Sequence, residues 1–292
     1  MTIAIYGKHI ESEYALALKN LFSQLTQYSA DVWIYSPLLD HLTKELSMQL
    51  PFSRTYSEPK EIKGNADFMI SLGGDGTFLD SVAFVQESNI PIMGINLGRL
   101  GFLATISIPE VNDAIDLLMA GKYKVEKLNM LEIISDSHFF STFPYGLNDF
   151  TLQKSGAAML TVNALVDNEY LCTYWADGLI VSTPTGSTAY ALSVGGPIVS
   201  PNLPAFILSA IAPHHLTVRP LVIPDTGTLK LEATGRDGKV LLSLDSRSIV
   251  CDSPISITLK KAPFQASVLY LESTTFYKTL REKLLWGVDK RN

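Results

Sequence analysis

The chain has 292 residues, 47% hydrophobic and 18% charged, enough apolar material for one large or two modest folded domains. Its net charge of −6 argues against nonspecific nucleic-acid or anionic-membrane binding, and any polyphosphate must be met by backbone dipoles, a few cations and Mg²⁺. Two cysteines and five scattered histidines give no zinc spacing. Cys172 and Cys251 lie in apolar runs; they read as a lone disulfide or, as expected here, as reduced core thiols of a cytoplasmic protein. The N-terminus does not read as a signal peptide, and no apolar run is long enough to span a membrane.

Thr2 to Tyr6 reads as a buried strand ended by Gly7, and Tyr14, Leu18, Leu21, Phe22 and Leu25 then recur at helical spacing. Asp31 to Tyr35 is a second strand, and Pro37 opens a helix with Leu39, Leu42 and Leu46 on one face. The polar stretch with Pro51, Pro59 and Gly64 is expected to be a mobile loop. Phe68 to Leu72 is a strand that feeds the turn Gly73-Gly-Asp-Gly-Thr77, with a helix from Phe78 to about Glu87 and a strand from Ile90 to Ile95 behind it. Pro109 to Ala120 reads as another helix, closed by Gly121. Strands alternating with helices predict a parallel, three-layer α/β domain, whose ligands collect at the C-terminal ends of the strands.

The glycine turn sits at such an end. Gly73, Gly74 and Gly76 let a ligand approach bare backbone, and the helix that follows offers unpaired amides and a positive dipole end suited to phosphate. Thr77 and Asp80 have capping-box spacing, which places the helix start there. Asp75 is out of place in a phosphate cradle unless it holds a metal ion or takes a proton from the reacting hydroxyl. Further on, Gly94 to Leu103 carries three more glycines, with Arg99 as a rare nearby cation and Phe102 as an aromatic face for a base or ordinary core.

Beyond residues 121 to 125 the period changes to alternation. Val162, Ala164 and Val166 lead to an Asp167-Asn168 turn; Leu229, Leu231 and Ala233 lead through Gly235-Arg-Asp-Gly238 to Val240 and Leu244; and Ile255, Ile257 and Leu259 continue the pattern. This is antiparallel β structure with hairpin turns. Phe276, Leu280, Leu284 and Leu285 return to helical spacing, and that helix is expected to pack back on the first domain. The domains are therefore residues 1–122 joined by a helix in 270–292, and a β-rich domain over 123–269.

The β-rich half holds Asp177-Gly-Leu-Ile-Val-Ser-Thr-Pro-Thr-Gly-Ser-Thr-Ala-Tyr190, then Gly195-Gly-Pro197. Its hydroxyls and bare backbone suit a sugar or an amide, and Asp177 can accept from an amide or a ribose hydroxyl. Asn148-Asp149 can clamp vicinal hydroxyls, though as a dipeptide it is also a common turn. No Gly-x-Ser-x-Gly elbow accompanies these serines. Neither a Gly-x4-Gly-Lys-Ser/Thr loop nor a Gly-x-Gly-x-x-Gly after a strand is present.

Together, Gly73-Gly-Asp-Gly-Thr77, Asn96-Leu-Gly-Arg-Leu-Gly-Phe102, Asn148-Asp149, the Asp177 to Tyr190 segment, Gly195-Gly-Pro197, Pro213-His214 and Arg219-Pro220 resemble the NAD kinase family. The glycine turn alone is shared with phosphofructokinases and diacylglycerol kinases; the segment around Pro184 and Tyr190 is specific. The resemblance implies an active site between two domains of a homodimer or homotetramer. It also implies transfer of the γ-phosphate of ATP, with Mg²⁺, to the adenosine ribose 2′-hydroxyl of NAD. By position, Asp75 is implied as the proton acceptor, with Gly73, Gly74, Gly76 and Thr77 at phosphate. By the same resemblance, Phe102, Asn148, Asp149, Asp177, Thr185, Thr188, Ala189, Tyr190, Ala191, Leu192 and Ser193 are implied to line the dinucleotide pocket, with Gly76 contributing too. The metal's ligands are not identified.

Two departures stand out. The family often has Asn-Glu where this chain has Asn148-Asp149, and Asp-Gly-Gln where it has Asp245-Ser246-Arg247, so Arg247 is read as a possible phosphate partner within the NAD site. The rival readings are a lipid or sugar kinase sharing the glycine turn, and a non-catalytic NAD(P)-sensing module.

Overall fold

The computed structural model describes residues 1–52 and 54–287 and divides the chain into two units. The first comprises Met1–Lys127 with Ala266–Asn292, the second Leu128–Gln265. The division falls a few residues from the expected 122/123 and 269/270.

In the first unit, strands β1 (Thr2–Gly7), β2 (Asp31–Tyr35), β3 (Arg54–Tyr56), β4 (Phe68–Leu72) and β5 (Ile92–Asn96) alternate with helices α1 (Ala15–Gln27), α2 (Ser36–Lys44), α3 (Pro59–Ile62) and α4 (Asp75–Val85). A short β6 (Ile106–Ser107) and α5 (Val111–Met119) follow. The strands pair in parallel in the order β3-β2-β1-β4-β5, with β6 beside β5. Alternating strand residues feed opposite faces. Ile3, Ile5, Ile70, Leu72, Met93 and Ile95 join α1, α2 and α5 in one core, while Ser71 points the other way and bonds Ser81 of α4 at 2.9 Å. That is the expected three-layer arrangement. The strand order reverses between β1 and β4, so the loops leaving their C-terminal ends flank the crevice where open α/β sheets bind ligands.

The second unit runs through β7 (Tyr123–Ile134), β8 (Tyr145–Gly146), β9 (Asp149–Lys154), β10 (Leu160–Val166), β11 (Glu169–Ala176), β12 (Gly178–Ser182), the single-turn α6 (Tyr190–Ser193), β13 (Ala205–Ile211), β14 (Leu221–Pro224), β15 (Leu229–Gly235), β16 (Lys239–Leu244), β17 (Arg247–Asp252) and β18 (Ile255–Leu271). β7 begins, and β18 ends, in the first unit. Two antiparallel layers, β11-β10-β15-β18 and β14-β13-β12-β9-β16-β17, enclose one core. Val162, Leu231 and Ile257 face Leu152, Leu179 and Leu242 across it, as sheet-on-sheet packing requires. After β18, whose Val268 pairs with Ile92 of β5, α7 (Phe276–Leu284) closes the first unit, capped by Thr275.

Three local expectations are corrected. The stretch around Pro59 is not all loop: β3 pairs with β2, and α3 is capped by Glu61, whose carboxylate accepts from the Ser57 and Glu58 amides; Ser53 lies outside the described residues. Thr77 and Asp80 form no capping box, because α4 starts at Asp75 with Gly74 as its cap, and Asp80 pairs instead with Lys8 at 2.7 Å. The turn Gly235 to Gly238 is no hairpin: it passes the chain from one layer to the other, since β15 pairs with β10 and β18 while β16 pairs with β9 and β17. Alternation tells which face of a strand is buried but not which strand lies beside it.

Candidate active site

In the first unit the site is built on the turn from β4 into α4. A Cβ on Gly73 would lie 2.3 Å from the Thr77 hydroxyl, so only glycine lets the strand enter the helix this tightly. Gly74 and Gly76 are exposed with open space where a side chain would stand, and α4 directs its first amides outward with no partner from within the helix. Unpaired amides at a positive helix end are suited to an anion. A cavity of about 230 Å³ borders Gly73, Gly74 and Thr77, and also His9, Glu11 and Tyr14 after β1 and Arg99 after β5. His9 and Arg99 are the basic side chains on its wall.

Asp75, the first residue of α4, is held rather than free. Its Oδ2 accepts from the Phe102 amide at 2.9 Å, and its Oδ1 from the Leu103 and Ala104 amides, each at 3.0 Å. This carboxylate therefore organises the loop after β5 as much as it faces the turn. A Cβ on Gly101 would lie 2.0 Å from Asp75 Oδ1, so the close approach needs glycine there. Asn96 shapes the same loop, donating to the Arg99 carbonyl at 2.6 Å and accepting from the Gly98 amide at 2.7 Å. Phe102 is half-buried, with the Lys283 ammonium of α7 4.7 Å from its ring centroid and the Phe276 ring at 6.4 Å. Lys283 also reaches Asp75 Oδ2 at 3.4 Å.

The second unit gathers Asn148, Asp149 and the Thr183 to Tyr190 segment. The Thr183 amide donates to the Asn148 carbonyl at 2.9 Å, the Thr183 hydroxyl to the Leu147 carbonyl at 2.5 Å, and the Gly186 amide to the Thr183 hydroxyl at 3.2 Å. A Cβ on Gly186 would fall 2.1 Å from the Asn148 carbonyl oxygen. Beneath this pair lies Asp245, whose carboxylate accepts from the amides of Leu147, Asn148 and Asp149 at 2.8, 2.8 and 3.1 Å. Burial pushes the Asp245 carboxyl up, while those amides and nearby Arg247 pull it back. Asp149 has no such help. Burial, then the neighbouring Asp245 charge, push its carboxyl up to about 7, so near neutral pH it can donate a proton as well as accept one. Asn148 Oδ1 is fully buried and has no hydrogen-bond partner among the described residues.

Other sequence-predicted residues fall as follows. Thr185 is buried, and its carbonyl accepts from the Thr188 hydroxyl at 3.2 Å. Ala189, Tyr190, Ala191, Leu192 and Ser193 form α6 and its cap, with the Tyr190 ring exposed and Ala191 buried. Ser187 is spent on structure: its hydroxyl bonds both the amide and the carbonyl of Val199. Asp177 is not brought to this group within the chain. It lies beyond the opposite end of β12, about 20 Å along the strand from Thr183, and pairs with Lys154 at 2.7 Å. Arg247 donates to the carbonyls of Phe143 and Tyr145 and stacks over Phe143, which occupies its fork inside the unit.

Asp245, Gly101, Asn96 and Lys283 were missed as site residues. The glycines around Phe102 signalled a close backbone approach, but nothing in sequence shows that Asp75 causes it, or that a lysine some two hundred positions later reaches it.

The family model of the ATP-NAD kinase N-terminal domain matches residues 10–123, and that of the ATP-NAD kinase C-terminal domain matches 147–268. The chain is 40% identical to the NAD kinase of Cytophaga hutchinsonii and 35% to that of Bacteroides fragilis, covering the whole of each chain in both cases. Among solved structures, the yeast NADH kinase complexed with NADH superposes with a TM-score of 0.87 at 22% identity, over 99% of this chain and 88% of that one. An NAD kinase from Archaeoglobus fulgidus in complex with ATP gives 0.75 at 26% identity, over 98% and 99%.

Proposed function

The chain belongs to the NAD kinase family, and on that premise we propose that it moves the γ-phosphoryl group of ATP to the 2′-hydroxyl of the adenosine ribose of NAD, giving NADP and ADP. The Pγ–O bond to ADP breaks, a P–O2′ bond forms, and the hydroxyl proton passes to Asp75. In phosphoryl transfer, positioning and charge neutralisation supply most of the rate. The amides of Gly74, Gly76 and Thr77, the α4 dipole and Arg99 take up phosphate charge. Asp75 orients and accepts the proton, held in place by the loop amides. Of its two oxygens, Oδ1 accepts two amides and Oδ2 one, so Oδ2 is the oxygen proposed to take the proton, in place of its contact with Lys283.

The second unit is the dinucleotide-binding half. The unpartnered Asn148 Oδ1 accepts from a ribose hydroxyl, and the Asp149 carboxyl bonds the neighbouring one. Where the family often has glutamate, the shorter acid sits about one methylene closer to the ribose. Thr185, Thr188 and Tyr190 with the rest of α6 line the dinucleotide's path. Arg247 and Asp177 belong to this half by family position only.

The carboxylates at the turn do not make a divalent-metal cage, because Asp75 is occupied by amides and Lys283 and Asp80 is paired with Lys8. The Mg²⁺ of the reaction is therefore one carried by ATP's own phosphates, and no part of the transfer is assigned to a protein-held ion. Exposed Leu221, Val222, Ile249 and Val250 on the edge strands β14 and β17 support a homodimer or homotetramer. The free thiols of Cys172 and Cys251 accord with the cytoplasm.

The observation that carries the assignment is Asp75 on a bare-backbone helix start, beside the cavity at the reversal of strand order, in a chain matched by both family domains. Purified protein given ATP, Mg²⁺ and NAD should release ADP in step with a product that an NADP-specific dehydrogenase reduces. ADP release without that product would point to a different acceptor, and none at all to a sensing module.

A further inference from the structure

Among the described residues, one group has ligand atoms gathered for a metal ion: His9, after β1 and on the rim of the cavity, with His41 and Glu45 at the end of α2. We propose that these three side chains bind one first-row divalent transition-metal ion of the zinc class. The proposal does not depend on the reading of the kinase site.

His41 and Glu45 are four residues apart, so they share one face of the helix. His41 is buried, and its Nε2 lies within hydrogen-bond reach of both backbone groups of Ile10, accepting from the amide at 3.1 Å or facing the carbonyl oxygen at 2.9 Å according to tautomer. Its Nδ1 faces Glu45 Oε2 at 3.0 Å. In the metal-bound form the proton sits on Nε2 and is donated to the Ile10 carbonyl, which leaves the Nδ1 lone pair and the Glu45 carboxylate to face one cation. The Ile10 carbonyl is the outer partner that fixes tautomer and ring orientation in metal-bound histidines.

The spacing suits such an ion. Zinc holds nitrogen and oxygen ligands at about 2.0–2.2 Å, so neighbouring ligand atoms of a tetrahedral site lie about 3.3–3.5 Å apart. The His41–Glu45 pair is within half an ångström of that, and all three ligand atoms lie within 4.8 Å of one another. The exposed His9, its ring centroid 4.6 Å from that of His41, closes the set by a small side-chain rotation. Its present neighbour, Glu11 at 3.5 Å, is itself exposed and does not lock it. Two imidazoles and one carboxylate with an open fourth position select zinc, cobalt or nickel over Mg²⁺, which prefers oxygen. Because His9 also borders the cavity beside Gly73 and Gly74, a bound ion fixes one wall of that cavity.

The test is titration of metal-free full-length protein with Zn²⁺ by calorimetry, and with Co²⁺ followed by visible absorption. One ion per chain is expected, with the intense d–d bands of four-coordinate cobalt. His9→Ala and Glu45→Gln, both at exposed positions, should each weaken Zn²⁺ binding by about tenfold or more while circular dichroism shows the fold intact. No binding at neutral pH means that His41 and Glu45 form only a proton-bridged ion pair, and overturns the proposal. So does unchanged affinity in both variants, or thiolate-to-cobalt absorption, which would put the ion on a cysteine.

Discussion

The Lys283 ammonium stands 3.4 Å from Asp75 Oδ2 and 4.7 Å from the centre of the Phe102 ring, so one side chain of the last helix touches both the acid of the glycine turn and the loop that holds it. A partly exposed ion pair and a cation–π contact are each worth up to about 1 kcal/mol. Lys283→Met is therefore expected to lower the unfolding free energy by no more than about 2 kcal/mol in urea titration, with α7 still helical. A larger loss would mean that this lysine, rather than Leu280 and the other packed residues, docks the helix.

Gly101→Ala probes the other side of the same acid. The new methyl group would start 2.0 Å from Asp75 Oδ1, so either the carboxylate or the loop must move. Overpacking of this kind costs about 1–3 kcal/mol. The variant is expected to stay folded, with a lower melting temperature and a kcat reduced at least about tenfold, since about 1 Å of misplacement is costly to a positioned group. Wild-type kcat in Gly101→Ala would show that Asp75's position does not matter.

In the second unit, Asn148 Oδ1 is buried and unpartnered in the protein alone. Deleting such an atom removes no hydrogen bond seen among the described residues, whereas a ligand that donated to it loses one. Asn148→Ala is expected to leave the melting temperature within a few degrees of wild type while weakening NAD binding about tenfold, the worth of one buried hydrogen bond. Equal NAD affinity by calorimetry would remove Asn148 from the ribose clamp.

Asp149 makes a pH prediction whose sign is the reverse of the usual carboxylate case. Its folded value, raised to about 7 by burial and by Asp245, lies above the unfolded value, so the native state holds the extra proton. The stability it contributes is complete below the unfolded pKa and is lost as pH climbs through about 7. Between pH 5 and 8 the unfolding free energy should fall, at up to about 1.4 kcal/mol per pH unit. Asp149→Asn, neutral throughout, should flatten that fall, and a variant with the wild-type slope would put the titration elsewhere.

Much of the architecture was legible because burial periodicity is local. Ile3 and Ile5, Val162 and Ala164, and Leu280 declare their elements without reference to any partner. The glycine turn was legible too, since three glycines around one acid leave few structural uses. What escaped was non-local. The start of α4 was misplaced because Asp75, the real first helical residue, is fixed by amides about thirty positions on. The Gly235 to Gly238 turn read as a hairpin because alternation cannot name a neighbouring strand. Asp245 passed as a departure from a motif, yet it is the anchor on which Leu147, Asn148 and Asp149 hang. His9, His41 and Glu45 lack metal-site spacing in the sequence, and only the return of the chain from β1 to α2 brings them together.

The most direct test of the account is Asp75→Asn in the coupled assay for NAD phosphorylation, with NAD affinity measured in parallel. The amide keeps the size and one acceptor oxygen but cannot take the hydroxyl proton. The expected result is NAD affinity close to wild type with kcat lower by at least about a hundredfold, the usual worth of a positioned base. Turnover at the wild-type rate would contradict the account and leave Asp75 as the clasp of the Phe102 to Ala104 loop alone.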